Sequence, residues 1–486
     1  MWLKNKMLSN KSRTEIIQLY LLFAISLVII YKLPNIIGTV FQLLLLIAFW
    51  RSKRDYFWLA FVFIIVNSPG SIFSSSDPLH SFYLFNSSIF GNLYFWIPFL
   101  FLALYKAKKI EINYPYYFLN KILFIIGFYF LFLLAVNGIY KWSAIVRLTL
   151  PWFFLFLLPK LLVSYEDYAK FFNLLFSFVP FVLITQLYKL TTATDFAVLL
   201  GGIGNPAVNA SHDVFESGTA LRPVAGIYIP FLSLLGTTFF LTIKKNKYFS
   251  NNYLLVITLL SVLSIFLTAT RSWLISAVII VIFYSFVNFN SSIRSSIRYA
   301  LVAIIVIITV STIPEFSRQS ELALNRYETI NYIIEGDVTA GGTLKRFDVR
   351  GPKVMAHFYE RPILGWGFGE EGASYSDGHV GHQNLLMHGG ILGYLLFVFL
   401  WLLFIQKMIK SKKLLKRENP NFNIPLILIS FFIGIHIINI SVQWFGFLTS
   451  FSSGFTIAFL FSLGNMVYWE SYHIEDDNNL TNSELI

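Results

Sequence analysis

Long apolar runs, separated by short charged or turn-forming segments, recur along most of this 486-residue chain. Residues 117–136, 144–163 and 424–442 are examples, and 56% of all residues are hydrophobic while only 13% are charged. A helix needs about 20 mostly apolar residues to cross a bilayer, and a backbone in lipid must satisfy its own hydrogen bonds. The runs are too continuous for the alternating strands of an outer-membrane barrel. The sequence therefore predicts an all-α, polytopic membrane protein.

Fourteen apolar runs are bounded by charges or turn residues and are predicted as transmembrane helices. The run 56–67 is short and the stretch 253–289 can be divided differently, so 12 spans is an open alternative to 14. The predicted spans are 15–31, 34–50, 56–67, 89–105, 117–136, 144–163, 171–187, 225–243, 253–270, 272–289, 299–313, 389–406, 424–442 and 446–468.

Basic clusters occupy every second gap between the predicted spans and therefore fall on one side of the membrane. Lysine and arginine in short loops mark the cytoplasmic side, so both termini are predicted to be cytoplasmic. The clusters are Lys4, Lys6, Lys11 and Arg13; Arg51, Lys53 and Arg54; Lys106, Lys108 and Lys109; Lys244, Lys245 and Lys247; Arg294 and Arg298; and Lys407, Lys410, Lys412, Lys413, Lys416 and Arg417.

Two segments on the opposite, outer side are long, 188–224 and 314–388. A long loop in a compact protein is usually functional, so the chemistry is expected in the second, which precedes the third-last span. That loop is predicted to be helical at 314–336 and again from Gly351, where a proline suits the first turn, until Pro362 ends the helix.

The predicted organisation follows from these assignments. A cytoplasmic N-terminus, 1–14, precedes the first eleven spans within 15–313. The extracytoplasmic loop 314–388 comes next, then three spans within 389–468 and an acidic cytoplasmic tail, 469–486.

Composition excludes some chemistry. The chain has no cysteine, which removes disulfides, thiolate catalysis and cysteine-ligated metals. The net charge of +12 comes from residues between spans, so it does not indicate a nucleic-acid partner.

Polar and glycine residues are densest between Arg346 and Gly393. In order, this segment contains Arg346, the turn Pro362-Ile363-Leu364-Gly365-Trp366-Gly367, the triplet His382-Gln383-Asn384, and Gly390-Ile391-Leu392-Gly393 at the start of a predicted span. Two further motifs lie upstream, Arg222-Pro223-Val224-Ala225-Gly226 and Thr268-Ala269-Thr270-Arg271-Ser272-Trp273.

In their order and placement these motifs resemble those of the O-antigen polymerase and ligase family of bacterial membrane proteins. The resemblance covers residues 215–400, whereas the first seven spans contribute only hydrophobicity. It implies an enzyme of the bacterial inner membrane, with its active site outside the cytoplasm. The implied partners are an undecaprenyl-diphosphate-linked oligosaccharide donor and acceptor, the lipid bilayer and a chain-length regulator, with no metal or other cofactor.

The resemblance also implies roles for particular residues. A sugar hydroxyl displaces pyrophosphate from an anomeric carbon with inversion, and arginine grips phosphate oxygens with a planar fork of donors. The predicted pyrophosphate-binding residues are Arg222, Arg271, Arg346 and Arg350, with Arg361 a weaker candidate. Histidine can accept the hydroxyl proton.

Two histidines are candidates for that base. The family's usual spacing to the first glycine of Gly-x-x-Gly is met by His379, whereas His382 has the better neighbours, Gln383 and Asn384. His382 is favoured, and His379 remains open. With Asp377 or a nearby glutamate, the pair also has the residue types of a metal site, which is the less favoured interpretation.

Three functions stay open. A polymerase that extends the lipid-linked glycan is favoured over a ligase of the same family, which transfers the glycan to lipid A-core or protein. A transporter or flippase is a third alternative, but such proteins usually keep ionisable residues within their spans, and carboxylates are nearly absent there. His436, in the middle of a predicted span, indicates either a transport pathway or a helix-helix hydrogen bond.

Overall fold

The computed structural model describes residues 10–33, 35–67, 83–87, 91–110, 119–192, 196, 199, 223–244, 246–268, 270–288 and 349–483. The predicted span 299–313 and the predicted helix 314–336 lie outside these residues, as do most of the outer segment 188–224 and the candidates Arg222 and Arg346.

Helices form most of the described chain. The first eight are α1 (Asn10–Lys32), α2 (Asn35–Arg51), α3 (Asp55–Val66), α4 (Trp96–Lys108), α5 (Asn120–Asn137), α6 (Trp142–Thr149), α7 (Phe154–Leu161) and α8 (Tyr165–Thr192), with a 3-10 turn, Leu150–Phe153, between α6 and α7. The next are α9 (Tyr228–Thr242), α10 (Asn251–Leu267), α11 (Arg271–Val287), α12 (Gly351–Glu360), α13 (Glu370–Tyr375), α14 (Gly381–Leu414), α15 (Ile424–Ser441) and α16 (Phe451–Ser483).

Seven helical segments of the described chain are long and apolar enough to cross a membrane: Ser12–Ile29, Asn120–Asn137, Trp142–Leu161, Tyr165–Thr192, Gly381–Leu414, Ile424–Ser441 and Phe451–Tyr472. Shorter apolar helices are Ile36–Arg51, Asp55–Val66, Tyr228–Thr242, Asn251–Leu267 and Arg271–Val287. Each overlaps a predicted run. The chain is therefore a helical, polytopic, membrane-embedded protein, as the sequence predicts.

A short two-stranded sheet interrupts the helices before α4. Strands β1 (Tyr83–Ser87) and β2 (Gly91–Tyr94) pair with each other, and the Thr39 hydroxyl of α2 donates a 2.8 Å hydrogen bond to the Leu84 carbonyl. The predicted span 89–105 therefore starts too early, because Gly91–Tyr94 is a strand and the helix begins at Trp96. Hydropathy does not separate a short strand from the apolar helix that follows it closely in sequence.

The described helices pack into two compact units. The first contains α1 to α4 and α8 to α11, and within it α8 packs against α1, α3, α9 and α10. The second contains α5 to α7 and α12 to α16, and within it α14 packs against α5, α12, α15 and α16. Both cores are rich in phenylalanine, with Phe171, Phe172 and Phe176 buried in the first unit and Phe404, Phe445 and Phe461 in the second.

The helix predicted to begin at Gly351 is present as α12 and ends at Glu360, with Pro352 in its first turn. Val354 and Phe358 lie one turn apart and are buried with Trp366 and Met387 in a small apolar cluster. Side chains four residues apart share one face of a helix, so this amphipathic spacing fixes which side of α12 packs against the rest of the second unit.

Candidate active site

Helix α14 begins earlier than the predicted span 389–406 and is broken inside. It starts at Gly381, so the last residues of the predicted loop 314–388 are helical, and Gly390 has non-helical angles of φ 60° and ψ −171°. The polar triplet at 382–384 lowers the hydropathy of the first helical turns, so the apolar pattern does not include them. Gly390 therefore divides α14 into a short segment and the apolar segment that the sequence indicates.

The turn Pro362–Gly367 docks into this break. The amides of Trp366 and Gly367 donate to the carbonyls of Met387 and His388, each at 2.9 Å. In return, the carbonyls of Pro362 and Ile363 accept from the amides of Ile391 and Leu392 at 2.8 and 3.3 Å. A helix break leaves amides and carbonyls without intrahelical partners, and buried ones must be paired. The two glycine motifs of the sequence thus form one structural element.

Glycine is required where the two backbones meet. Gly365 has φ 71°, and a Cβ there would lie within 2.6 Å of the Gly390 nitrogen and the His388 carbonyl oxygen. A Cβ on Gly390 would collide with the Ile363 carbonyl. The Tyr129 hydroxyl of α5 donates to the Gly389 carbonyl at 2.8 Å, which pairs a further carbonyl beside the break.

A partly polar cavity of about 410 Å³ lies beside the docked turn. It is formed where α5 and α15 end and where α6 and α16 begin, and the short segment of α14 borders it. Its lining includes Tyr140, Lys141, Phe368, Ser376, Gly378, His388, Gln443, Thr449 and Ser450. Backbone hydrogen bonds connect the segments that line the cavity. The backbone amide of Gln443 donates to the Gly378 carbonyl at 2.9 Å, and that of Thr449 donates to the Leu148 carbonyl at 2.8 Å.

An apolar groove of about 360 Å³ adjoins the cavity. It runs between α5, the α6–α7 region and α14, and its lining includes Gly127, Phe128, Leu131, Trp152, Phe397 and Phe447. Phe128 and Leu131 are exposed by 71% and 59%, as expected of side chains that face lipid. Phe447 lies in the groove and its chain neighbour Leu448 in the cavity, so one stretch of backbone separates the polar and apolar compartments.

His388 lines the cavity, although it belongs to none of the sequence motifs. Its side chain is buried, its ring stacks on Phe368 with centroids 5.0 Å apart, and its Nδ1 lies 2.6 Å from the Gly367 carbonyl oxygen. The signal in the sequence is weak, because a histidine within an apolar run is more often a satisfied core residue. The adjoining Gly389-Gly390 pair is the sequence feature that indicates a helix break there.

His382 occupies a different environment, an aromatic cluster between α14 and α15. Its ring centroid lies 5.6 Å from that of His436, 5.8 Å from Trp401 and 6.4 Å from Tyr394. Within the described chain, His382 Nδ1, His436 Nε2 and Trp401 Nε1 are sealed from solvent without a hydrogen-bond partner. His436 Nε2 has no hydrogen-bond partner there, while the His382 ring hydrogen-bonds to the backbone of His436. His382 is not among the residues that line the polar cavity.

His379 and Arg350 meet at Asp377. Arg350 Nη1 lies 3.6 Å from Asp377 Oδ1, which also accepts the His379 amide at 3.0 Å. Asn384 holds this turn, since its Oδ1 accepts from the Asp377 amide at 3.0 Å and its Nδ2 donates to Gln443 Oε1 at 3.3 Å. His379 and Arg350 are exposed, so both can meet a ligand from solvent.

Arg361 lies over the Trp366 ring at 3.9 Å and donates to Asn137 Oδ1 at 3.4 Å. A guanidinium stacked on an indole face is held by the ring quadrupole, which accounts for this residue without a ligand.

Both upstream motifs lie in the first unit, where Trp273 of one packs against the helix that follows the other. Arg271 is the first residue of α11, and Trp273 packs edge-on against Tyr228 and Phe231 of α9 at 5.2 and 5.1 Å. The α9 helix follows directly from Pro223–Gly226, whose Pro223 carbonyl accepts a 3.1 Å bond from Gln186 Nε2. Arg271 therefore lies near the helix that follows the motif at 222–226.

The residue types of a metal site do not come together in the described part of the chain, where no group of three or more histidine and carboxylate side chains is arranged to hold an ion. Asp377 contributes its carboxylate to Arg350 and the His379 amide. Compared with family models, curated proteins and solved structures, the chain matches none.

Proposed function

We propose that this protein is a membrane glycosyltransferase that joins undecaprenyl-diphosphate-linked oligosaccharides into O-antigen or a related surface polysaccharide. The observation that carries the proposal is the interlock of Pro362–Gly367 with the break at Gly390. Both motifs belong to the resemblance and lie apart in sequence, yet four backbone hydrogen bonds join them beside a polar cavity. A chance match of short motifs gives no reason for such pairing.

The neighbouring compartments suit an amphiphilic substrate. A lipid-linked oligosaccharide has a charged diphosphate and sugars at one end and a long isoprenoid chain at the other. The polar cavity offers Lys141, Gln443 and Ser450 to the first, and the groove beside Gly127 offers aromatic and aliphatic side chains to the second. Burial of apolar surface stabilises the bound chain, while hydrogen bonds orient the head.

The reaction is transfer with inversion. The acceptor hydroxyl oxygen forms a bond to the anomeric carbon, the bond from that carbon to the diphosphate breaks, and the diphosphate leaves with the electron pair. Arginine holds the leaving charge, for which Arg222, Arg271, Arg346 and Arg350 are the proposed residues. A histidine takes the hydroxyl proton, with His382 and His379 as the candidates from the sequence.

The test is chain growth by the purified protein in proteoliposomes containing undecaprenyl-diphosphate-linked repeat units. We expect a ladder of lipid-linked products, and Arg350→Gln should slow it by about 10- to 100-fold, since a hydrogen bond to a charged group contributes roughly 1.5–3 kcal/mol. Lys353→Gln is the matched control, because it removes an exposed charge from the first turn of α12. Equal slowing by both variants would mean that general charge, and not Arg350, matters.

The other functions give different results in the same vesicles. Transfer of the glycan to added lipid A-core without a ladder would favour the ligase. Movement of lipid-linked glycan across the bilayer without a new glycosidic bond would favour the transporter. If a ladder forms, a chain-length regulator is the expected partner, and adding one should narrow the distribution of product lengths.

Sidedness can be tested directly because the chain has no cysteine. Gly378 lines the cavity and has open space at its Cβ, whereas Lys413 is exposed near the other end of α14, within the strongest basic cluster. We expect a membrane-impermeant maleimide to label Gly378→Cys on intact cells and Lys413→Cys only after permeabilisation. The reverse pattern would put the cavity in the cytoplasm and contradict the proposed orientation.

A further inference from the structure

We propose that His388, a residue outside the motifs of the resemblance, is the base that accepts the proton of the acceptor hydroxyl in the polar cavity. This inference rests on the proposed function and changes the residue that performs its proton transfer. It stands on three observations: where the ring lies, how the ring is held, and how the environment of His382 differs.

The His388 ring is held by reciprocal bonds to Gly367. The Gly367 amide donates to the His388 carbonyl at 2.9 Å, and the Gly367 carbonyl oxygen lies 2.6 Å from His388 Nδ1. A carbonyl can only accept, so Nδ1 carries the hydrogen of the neutral ring and Nε2 carries the lone pair. Phe368, stacked on the ring, limits its rotation.

A base in this state needs access to the substrate. His388 lines the cavity, and with Nδ1 bound to Gly367 the accepting atom is Nε2. Among the described residues that line the cavity, Lys141 and Tyr140 are the other titratable ones. Lys141 is a cation suited to the diphosphate, so the cavity combines an acceptor of protons with a partner for the leaving charge.

His382 lies outside this lining. Its ring is partly exposed and is held by a hydrogen bond to the backbone of His436. Its Nδ1 is sealed within the aromatic cluster of Trp401 and His436, and the described cavity lining does not include it. An acceptor hydroxyl could reach that nitrogen only if the cluster opened. The sequence favoured His382 because of its neighbours Gln383 and Asn384, but Asn384 fixes the turn at Asp377 instead.

The proposed reaction transfers one proton and exchanges one bond at the anomeric carbon. Nε2 of His388 takes the hydroxyl proton as the oxygen bonds to the anomeric carbon, and the carbon–oxygen bond to the diphosphate breaks. The products are a glycosidic bond, a free lipid diphosphate and a protonated histidine, which then returns its proton to solvent.

His388→Asn separates this role from a structural one. The asparagine amide can still donate to the Gly367 carbonyl, as Nδ1 does, but it offers no lone pair in place of Nε2. We expect chain growth in proteoliposomes to fall by about 100-fold or more, the usual contribution of a general base, while thermal stability stays close to wild type. His388→Ala should be inactive and partly rescued by added imidazole.

The pH profile supplies a second readout. A base accepts a proton only when neutral, so wild-type activity should fall at acidic pH with the titration of the histidine, and His388→Asn should lose that limb. His357→Asn is the matched control, since His357 stacks on Tyr375 outside the cavity and should leave rate and profile unchanged.

Each outcome decides between the proposals. Wild-type chain growth with an active His388→Asn, or with the loss confined to His382→Asn, would overturn the assignment of His388 and leave the proposed function in place. A wild-type protein that forms no glycosidic bond with any acceptor would overturn the proposed function, and the assignment of His388 with it.

Discussion

Gly390→Ala is expected to destabilise the protein by more than about 4 kcal/mol, or to prevent its accumulation in the membrane, because two penalties combine at this position. The backbone angles, φ 60° and ψ −171°, belong to a region that only glycine visits readily, which costs on the order of 1–3 kcal/mol for alanine. A Cβ would also collide with the Ile363 carbonyl and separate the turn from the helix break.

Gly138 isolates the first penalty. It follows α5 with nearly the same angles, φ 72° and ψ −170°, but its Cβ would meet nothing within 4 Å. Gly138→Ala should therefore lower stability by on the order of 1–3 kcal/mol. Gly378→Ala, with open space and no positive φ, should be close to neutral.

The measurement is the midpoint of thermal unfolding in detergent, followed by fluorescence-detected size exclusion, for all three variants. Equal shifts for Gly390→Ala and Gly138→Ala would mean that backbone strain alone matters and that the contact with Ile363 contributes nothing. Such a result would contradict the interlock of the two motifs.

Gly127→Trp is expected to reduce the rate of chain growth by about tenfold at a fixed donor concentration, equivalent to roughly 1.4 kcal/mol of lost binding. Gly127 lies in the lining of the apolar groove, and its Cβ would meet nothing within 4 Å. An indole there therefore fits without a clash and takes up space that the isoprenoid chain would occupy. Stability should change little.

Gly38→Trp is the matched control. Gly38 lies on α2 in the first unit, and its Cβ would likewise meet nothing within 4 Å. It adds the same side chain to an apolar helix none of whose residues is in the described groove lining. A rise in KM for the donor in Gly127→Trp alone would support the groove as the binding site. Equal effects of both variants would attribute the loss to the helices or the bilayer instead.

The sequence by itself determined the class of the protein and much of its helical framework. Runs of about 20 apolar residues leave a chain few alternatives to transmembrane helices, because the backbone must pair internally in lipid. The short helix after Gly351 was also predictable, since Pro352 favours a first turn and Val354 and Phe358 share a face. These features depend on local composition and period, which a single sequence contains.

The tertiary structure decided the rest. Hydropathy gives no sign that Gly390 breaks α14, because a break is stable only when another segment pairs the freed amides and carbonyls. That segment, Pro362–Gly367, is distant in sequence, and its motif resemblance indicated a role but not a contact. His388 shows the same limit. Within an apolar run it reads as a core residue, and only the Gly367 carbonyl on its Nδ1 and the cavity beside its ring make it a candidate base.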